Sequence, residues 1–599
     1  MVLFRPELRG IHGAVASTHW LASAAGMAML DRGGNAFDAA ASAAFVLQVV
    51  EPHLNGPGGD VPILLFDAAR GDVKVICGQG PMPRAATIPR FRDLGLNRIP
   101  GSGLLPACVP GAFGAWTSLL RDHGRLRLAD VIEPAIRYAA DGYPLLPNAA
   151  RTIATLAPLF RTEWAESGRV YLDRGVAPAA GARMRNPLLA ATFQRILAEA
   201  EAATGDRDGQ IQAAEDAFYR GFVAEAIDAF MSGGPVLDAT GERHGGLLTG
   251  DDLARWHAGV ESPVVLPHGD FVVHKPGPWS QGPVFLQQLA MLSGFDLPSM
   301  GWGSSAHLHT VVESAKLALA DRDAFYGDPA FVKVPLDQLI DPGYAARRRR
   351  LIGPDASALL RPGDPDGVVG WIPDSDEAAP PEPEPVWRAQ LDSGLPTLVR
   401  LTQARGDTCC VSAVDRAGNL VVATPSGGWL KSSPAVPGLG FPLGTRGQMA
   451  WLVEGHPNSL APGKRPRTTL SPTLVLRQGE PYLAFGTPGG DQQDQWTLNF
   501  LVAHLEFGLG VQEAVEALSF HTDHAPSSFV PRRSRPRSLV VERSVAPTTV
   551  AELSARGHDV EVVAEHSLGK ICATGLDQET GMVLAAASPR GEQAYAVAR

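Results

Sequence analysis

The apolar positions of the first hundred residues fall first into a helical and then into a strand periodicity. Residues 21–30 are Ala-rich with helical spacing and end at Gly33-Gly34. Asn35 then caps a second helix, with Asp38 at its third position. The mainly apolar run from Ala36 to Val50 stops at Glu51-Pro52, too short to span a bilayer. Beyond it, Val61 to Phe66 and Val73 to Ile76 read as strands around the turn Ala69-Arg70-Gly71-Asp72, with Pro62 tolerated at the strand's start. The pattern returns at Val411 to Asp415 and Leu420 to Thr424, around Arg416-Ala417-Gly418-Asn419. Further strands are expected over 271–274, 473–477 and 482–485, and helices over 128–140, 307–322, 497–507 and 511–518. Hairpins interleaved with helices, without regular β-α-β alternation, predict an α+β layered protein.

The chief interruption covers residues 363–407. It contains Asp374-Ser375-Asp376-Glu377-Ala378-Ala379-Pro380-Pro381-Glu382-Pro383-Glu384-Pro385, acidic and proline-rich, which cannot build a packed element and is expected to be mobile. The segment leads into Gly406-Asp407-Thr408-Cys409-Cys410-Val411, where a hydroxyl residue opens a predicted strand. A threonine within a chain is a poor nucleophile. One whose own α-amine has been freed carries its general base with it, since an α-amine titrates near pH ~8 a few bonds from the hydroxyl. Thr408 is therefore the candidate N-terminal nucleophile and Asp407-Thr408 the candidate cleavage site, dividing the chain into a large region, 1–407, and a small one, 408–599. Two other readings of the same residues stay open. Cys409 or Cys410 is a nucleophile by intrinsic reactivity, and the pair could ligate a metal with His521, Asp523 and His524, although that spacing matches no ligand pattern.

Composition narrows the partners. The 599 residues are 45% apolar with 65 Gly and 50 Pro, a globular and loop-rich balance, and a net charge of -11 gives no electrostatic footprint for nucleic acid. The basic cluster Arg532-Arg533-Ser534-Arg535-Pro536-Arg537 is the local exception and reads as a solvated loop or inter-subunit contact, with an anionic partner as the alternative. Five scattered cysteines suit a reducing compartment, and the N-terminal residues lack the layout of a secretory signal, so a cytoplasmic protein without a membrane segment is expected.

After Thr408 the chain carries Ala423-Thr424-Pro425-Ser426-Gly427-Gly428, Arg446-Gly447-Gln448-Met449, Lys464-Arg465-Pro466-Arg467-Thr468-Thr469-Leu470-Ser471-Pro472 and Gly486-Thr487-Pro488-Gly489-Gly490. In order and spacing these resemble the small subunit of the γ-glutamyltranspeptidase family. Gly33-Gly34-Asn35-Ala36-Phe37-Asp38-Ala39-Ala40, Gly56-Pro57-Gly58-Gly59 and Val109-Pro110-Gly111-Ala112 resemble its large subunit. The resemblance implies a four-layer αββα sandwich of the N-terminal-nucleophile hydrolases with the two subunits intertwined. It also implies self-cleavage before Thr408 and an acyl-Thr408 intermediate formed from a γ-glutamyl-like amide and passed to water or an amine. No metal or organic cofactor is implied, and the assembly is one large–small heterodimer or a pair of these.

Site roles follow residue by residue. Gly489 and Gly490 supply backbone donors to the oxyanion, Ser426 the hydroxyl beside the nucleophile, Thr468 and Thr469 a hydroxyl pair facing the substrate carboxylate, and Gln448 a neighbour of that pocket. The departures concern recognition. Gln79 stands where the family has a carboxylate-binding Arg, Trp451 where it has an acidic residue for the α-ammonium, and Gly428 where it has an Asn. A neutral Gln replaces a bidentate Arg poorly, which leaves Arg446 or Arg84 as substitute anchors and a cation–π contact to Trp451 as the substitute for the acid. The alternatives to a γ-glutamyl enzyme are an acylase for another amide, such as a dicarboxylic one, and an uncleaved binding homologue.

Overall fold

The computed structural model describes residues 3–371, 408–590 and 594–599. Asp407 and most of the acidic, proline-rich segment therefore lie outside the described residues. Two seven-stranded sheets form the centre. One runs in the order Leu8–Gly10, Val583–Ala587, Cys572–Leu576, Glu480–Gly486, Thr473–Arg477, Phe271–Lys275, Val264–His268. The other runs Tyr595–Ala598, Gly13–Ser17, Val411–Asp415, Leu420–Ala423, Val61–Asp67, Asp72–Gly78, Gly259–Glu261. Neighbouring strands in both are antiparallel, and each sheet draws strands from both sides of residue 408.

Strand alternation decides what each face packs against. Ala14, Ala16, Leu64, Phe66, Val414 and Val422 of one sheet meet Leu474, Ala484, Cys572, Val583 and Ala585 of the other in a thin, small-residue inner core. The opposite faces, through Val15, Ile63, Leu65, Val411 and Ala413, take the helices Trp20–Asp31, Ala36–Val50, Ala112–His123 and Leu128–Asp141. Val273, Val475, Leu483 and Phe485 take Gly282–Leu292, Ser305–Phe325 and Gln493–Leu505. The layers are α, β, β, α. No helix among the described residues is long and apolar enough to cross a membrane.

The predicted capping box forms: the Asn35 side chain accepts from Phe37 N and Asp38 N, and the Asp38 carboxylate accepts from Asn35 N at 2.8 Å. The helix expected from 497 instead starts at Gln493. Its polar first turn is inside the protein, where the Asp494 carboxylate accepts from Lys275 Nζ at 2.9 Å with both side chains wholly buried. In the basic cluster, Arg533, Ser534, Pro536 and Arg537 are exposed as expected, whereas Arg532 donates through Nη2 to the carbonyls of Gln448, Met449 and Ala450 at 2.9, 3.1 and 2.9 Å.

Breaking a buried ion pair leaves one charge uncompensated, which costs about 3–5 kcal/mol, whereas replacing both members with apolar groups is often neutral. Lys275→Met is expected to lower the unfolding free energy from denaturant titration by that amount, and Lys275→Met with Asp494→Leu to recover most of it. Because both sheets interleave the two regions, the fragments on either side of Thr408 are expected to co-elute in native size exclusion and to separate only in denaturant.

Candidate active site

Thr408 lies just before strand Val411–Asp415 and is 3% exposed. It forms an isolated antiparallel bridge with Ser426, and its Oγ1 donates to Ser426 Oγ at 3.3 Å. Cys409 N donates to Pro425 O at 2.9 Å, fixing the nucleophile against the turn that follows strand Leu420–Ala423. That turn is held by the loop after helix Ala36–Val50: Ser426 N donates to Asp60 O at 2.9 Å and Asp60 N to Ser426 O at 2.8 Å.

The two loops touch through glycines. A Cβ on Gly59 would fall 2.1 Å from Ser426 O, and one on Gly428, which has φ +62°, would fall 2.9 Å from Gly59 N. Backbone that close admits no side chain. The Gly56-Pro57-Gly58-Gly59 motif is therefore the mould for Ser426-Gly427-Gly428. Asp60 then receives Arg446 in a bidentate pair, Nε to Oδ2 and Nη2 to Oδ1, each at 2.8 Å, with both side chains buried.

The second half of the site leaves strand Glu480–Gly486. A Cβ on Gly486 would lie 2.9 Å from Cys410 Sγ and 3.0 Å from Thr424 Cγ2, so the strand ends against the nucleophile's own segment. Gly489 follows with φ +141° and Gly490 with φ +57°. The indole of Trp496 lies beneath Gly489, where a Cβ would meet Cζ3 at 2.1 Å. Asp491 clamps the loop: its carboxylate accepts from Arg322 Nη1, from Ser528 Oγ and from Ser528 N at 2.9 Å, and its carbonyl accepts from Gln281 Nε2 at 2.9 Å. Sequence alone gave no sign of Arg322, Gln281 or Trp496 as supports of this turn.

The recognition residues are placed as follows. Thr468 and Thr469 are buried, Thr468 N donates to Trp279 O at 2.9 Å, and Thr469 Oγ1 has no partner among the described residues. Gln448 Nε2 is taken up by Gly101 O and Thr445 O, both at 3.2 Å. Gln79 is buried with Oε1 unpartnered among the described residues. Arg446 is committed to Asp60, and Arg84 is exposed. Trp451 stacks on His456, 4.6 Å between ring centres, and its ring already carries Arg532 at 4.3 Å, which leaves that face closed to a substrate ammonium.

The cysteine readings fail on direction. Cys409 packs into the helix-side core and Cys410 into the core between the sheets, as alternation along a strand requires, so the two cannot chelate one ion. Burial pushes both thiols well above the usual range, away from the reactive thiolate. Cys409 Sγ is bonded to Glu51 Oε2 at 3.0 Å and to Asn55 Nδ2 at 3.0 Å. Elsewhere, ligand-type atoms of His309, Glu313 and His558 come within 4.8 Å of one another. There Glu313 is paired with Lys316 and Arg361, and His309 Nδ1 is hydrogen-bonded to His558 Nε2 at 2.9 Å, while His558 Nδ1 has no partner among the described residues.

Loss of one oxyanion donor typically slows a reaction by ~10²–10³-fold. Gly489→Ala keeps the N–H but displaces it, because the new methyl meets the Trp496 ring at φ +141°, and is expected to lose turnover by that factor, with thermal melting measured alongside to separate a moved donor from a destabilised turn. Iodoacetamide at pH 8 is expected to leave activity intact while the protein is native and to label all five cysteines only after denaturation.

The gamma-glutamyltranspeptidase family model matches residues 22–598. The glutathione hydrolase-like YwrD proenzyme of Bacillus subtilis (strain 168) is 30% identical over 98% of this chain and 98% of its own. Among solved structures, LmbA2991HD is similar with 51% identity and a TM-score of 0.92, covering all of both chains. The cephalosporin acylase from Bacillus halodurans is similar with 26% identity and a TM-score of 0.82, covering 100% of this chain and 98% of that one. A threonine, a partner hydroxyl and a strained Gly-Gly turn at the mouth of two facing sheets agree with these matches, and the chain belongs to the gamma-glutamyltranspeptidase family of N-terminal-nucleophile hydrolases.

Proposed function

We propose that this enzyme is an amidohydrolase that cleaves itself before Thr408 and then carries a dicarboxylic acyl group, in preference to γ-glutamyl, on the Thr408 hydroxyl. In the first act Thr408 Oγ attacks the Asp407 carbonyl; the ester formed is hydrolysed by water and the α-amine of Thr408 is released. In the second, that amine accepts the Oγ proton as Oγ attacks the amide carbonyl of the substrate. The Gly489 and Gly490 N–H groups hold the oxyanion, and Ser426 Oγ orients the nucleophile. The amine departs, and water or an amine acceptor takes the acyl group. The two fragments work together as a heterodimer.

The observation that carries the choice of acyl group is the state of the α-ammonium pocket. Gly428 has no side chain to offer, and it can have none, because a Cβ would strike Gly59. Trp451 is occupied by His456 and Arg532. An α-ammonium brought here would lose its hydration without gaining a counter-charge, which disfavours binding by several kcal/mol, whereas an acyl group without an amine pays nothing. The name of the Bacillus halodurans relative, an acylase, is in keeping with this. All five cysteines are free and buried, which supports a reducing, cytoplasmic setting.

A panel of p-nitroanilides tests the reading. Glutaryl-anilide is expected to be turned over with a kcat/KM at least ~30-fold above that of γ-glutamyl-anilide, about 2 kcal/mol of discrimination. Equal or reversed preference would return the enzyme to the γ-glutamyl class.

A further inference from the structure

We infer that Phe529 is a specificity-determining residue on the amine side of the scissile bond, an apolar shelf that favours amides of aromatic or bulky apolar amines and, as acceptors, those same amines. The inference rests on the acyl-Thr408 reading above and extends it from the acyl group to the group that leaves or accepts.

The ring stands beside the oxyanion turn. A Cβ on Gly490 would fall 3.1 Å from Phe529 Cε2 and 3.9 Å from Cδ2, so the ring edge flanks a residue whose N–H holds the oxyanion. The chain neighbours of both residues fix this placement: Asp491, next to Gly490, accepts through its carboxylate from Ser528 N at 2.9 Å and from Ser528 Oγ, and Ser528 is next to Phe529. The loop that carries the ring is also closed on itself. Ser527 N donates to Arg533 O at 3.0 Å, Arg532 N to Phe529 O at 2.7 Å, and Phe529 N to Ser527 Oγ at 3.2 Å. From outside the loop, Arg322 Nη2 donates to Pro526 O at 3.0 Å and Arg98 Nη1 to Pro531 O at 3.2 Å. Turn and ring are thereby tied into one unit.

Burial gives the direction. Thr408, Gly489 and the acyl-pocket positions Gln79, Gln448, Thr468 and Thr469 are buried, whereas Gly490 and Phe529 are only partly so. The site therefore opens past Gly490. A leaving amine has to reach water and an acceptor has to arrive from it, so the amine side of the scissile bond is the side on which the ring stands. A partly wet aromatic ring held in place by its backbone gains from being covered by an apolar group, and an aromatic one adds a ring–ring contact to the area buried. A small or strongly hydrated amine covers it poorly and gains little.

The test uses the cleaved enzyme and the partition of one acyl-enzyme, so that the acyl group is the same throughout. The donor is whichever anilide of the panel above is turned over fastest, which separates this inference from the choice between dicarboxylic and γ-glutamyl groups. In aminolysis the acceptor nitrogen attacks the ester carbonyl, the bond from that carbonyl to Thr408 Oγ breaks, and the proton lost by the nitrogen returns to Oγ through the α-amine. Benzylamine and methylamine are compared at equal concentrations of free amine by the amounts of amide formed. Wild type is expected to favour benzylamine, and Phe529→Ala to lower the benzylamine-to-methylamine ratio about fivefold, the size of effect an aromatic pair supplies. Phe529→Tyr is expected to keep most of the preference. Intact mass and thermal melting establish that each variant is cleaved and folded, and Phe529→Ser takes the place of an alanine variant that is not. A wild type that shows no preference for benzylamine or forms neither amide, or a ratio unchanged on removal of the ring, overturns the inference. An enzyme that turns over no anilide overturns the acyl-Thr408 reading and the shelf with it.

Discussion

The buried pair of Asp60 and Arg446 is the contact on which the geometry of the nucleophile depends. Asp60 is bonded to Ser426 through its backbone in both directions, and Ser426 is the hydroxyl against which Thr408 rests. Its side chain is neutralised by Arg446 through two 2.8 Å bonds in a place water does not reach. Such a pair is not a source of stability in itself, because desolvation offsets most of the attraction. Its value lies in orientation: a planar guanidinium fork accepts a carboxylate in one pose, and that pose sets the loop that meets the nucleophile's turn.

The same arrangement explains how specificity can drift while chemistry is kept. The nucleophile, its hydroxyl neighbour and the Gly489-Gly490 turn are anchored by backbone bonds and by the Arg322–Asp491 clamp, none of which involves the acyl pocket. Of the positions proposed for recognition, Gln79 and Trp451 are not part of those bonds, whereas Gly428 is packed against Gly59 in the loop that holds Ser426. The relatives of this chain include both glutathione hydrolases and acylases, in keeping with a reacting centre that is kept while recognition changes.

Much of the fold could be read from the sequence, because its signals are local. The Asn35–Asp38 capping box, the hairpin partners Val61–Asp67 and Asp72–Gly78, and the paired strands after Thr408 each follow from a few neighbouring residues. What escaped was polar burial across long separations. Gln493 and Asp494 look like loop residues until Lys275 is seen opposite them, and Arg532 looks solvated until three carbonyls converge on it. Arg446 resembled a substrate anchor because its partner, Asp60, lies 386 positions away. The opposite directions of Cys409 and Cys410 were legible from strand alternation alone.

The account stands or falls on the bond before Thr408, and denaturing intact-mass analysis of the purified wild type beside Thr408→Ala addresses it most directly. Wild type is expected to give two chains, the smaller one beginning with an unmodified Thr408, and the variant a single chain of full mass. A wild type that stays whole, or a variant that is cut at the same bond, would contradict Thr408 as the nucleophile.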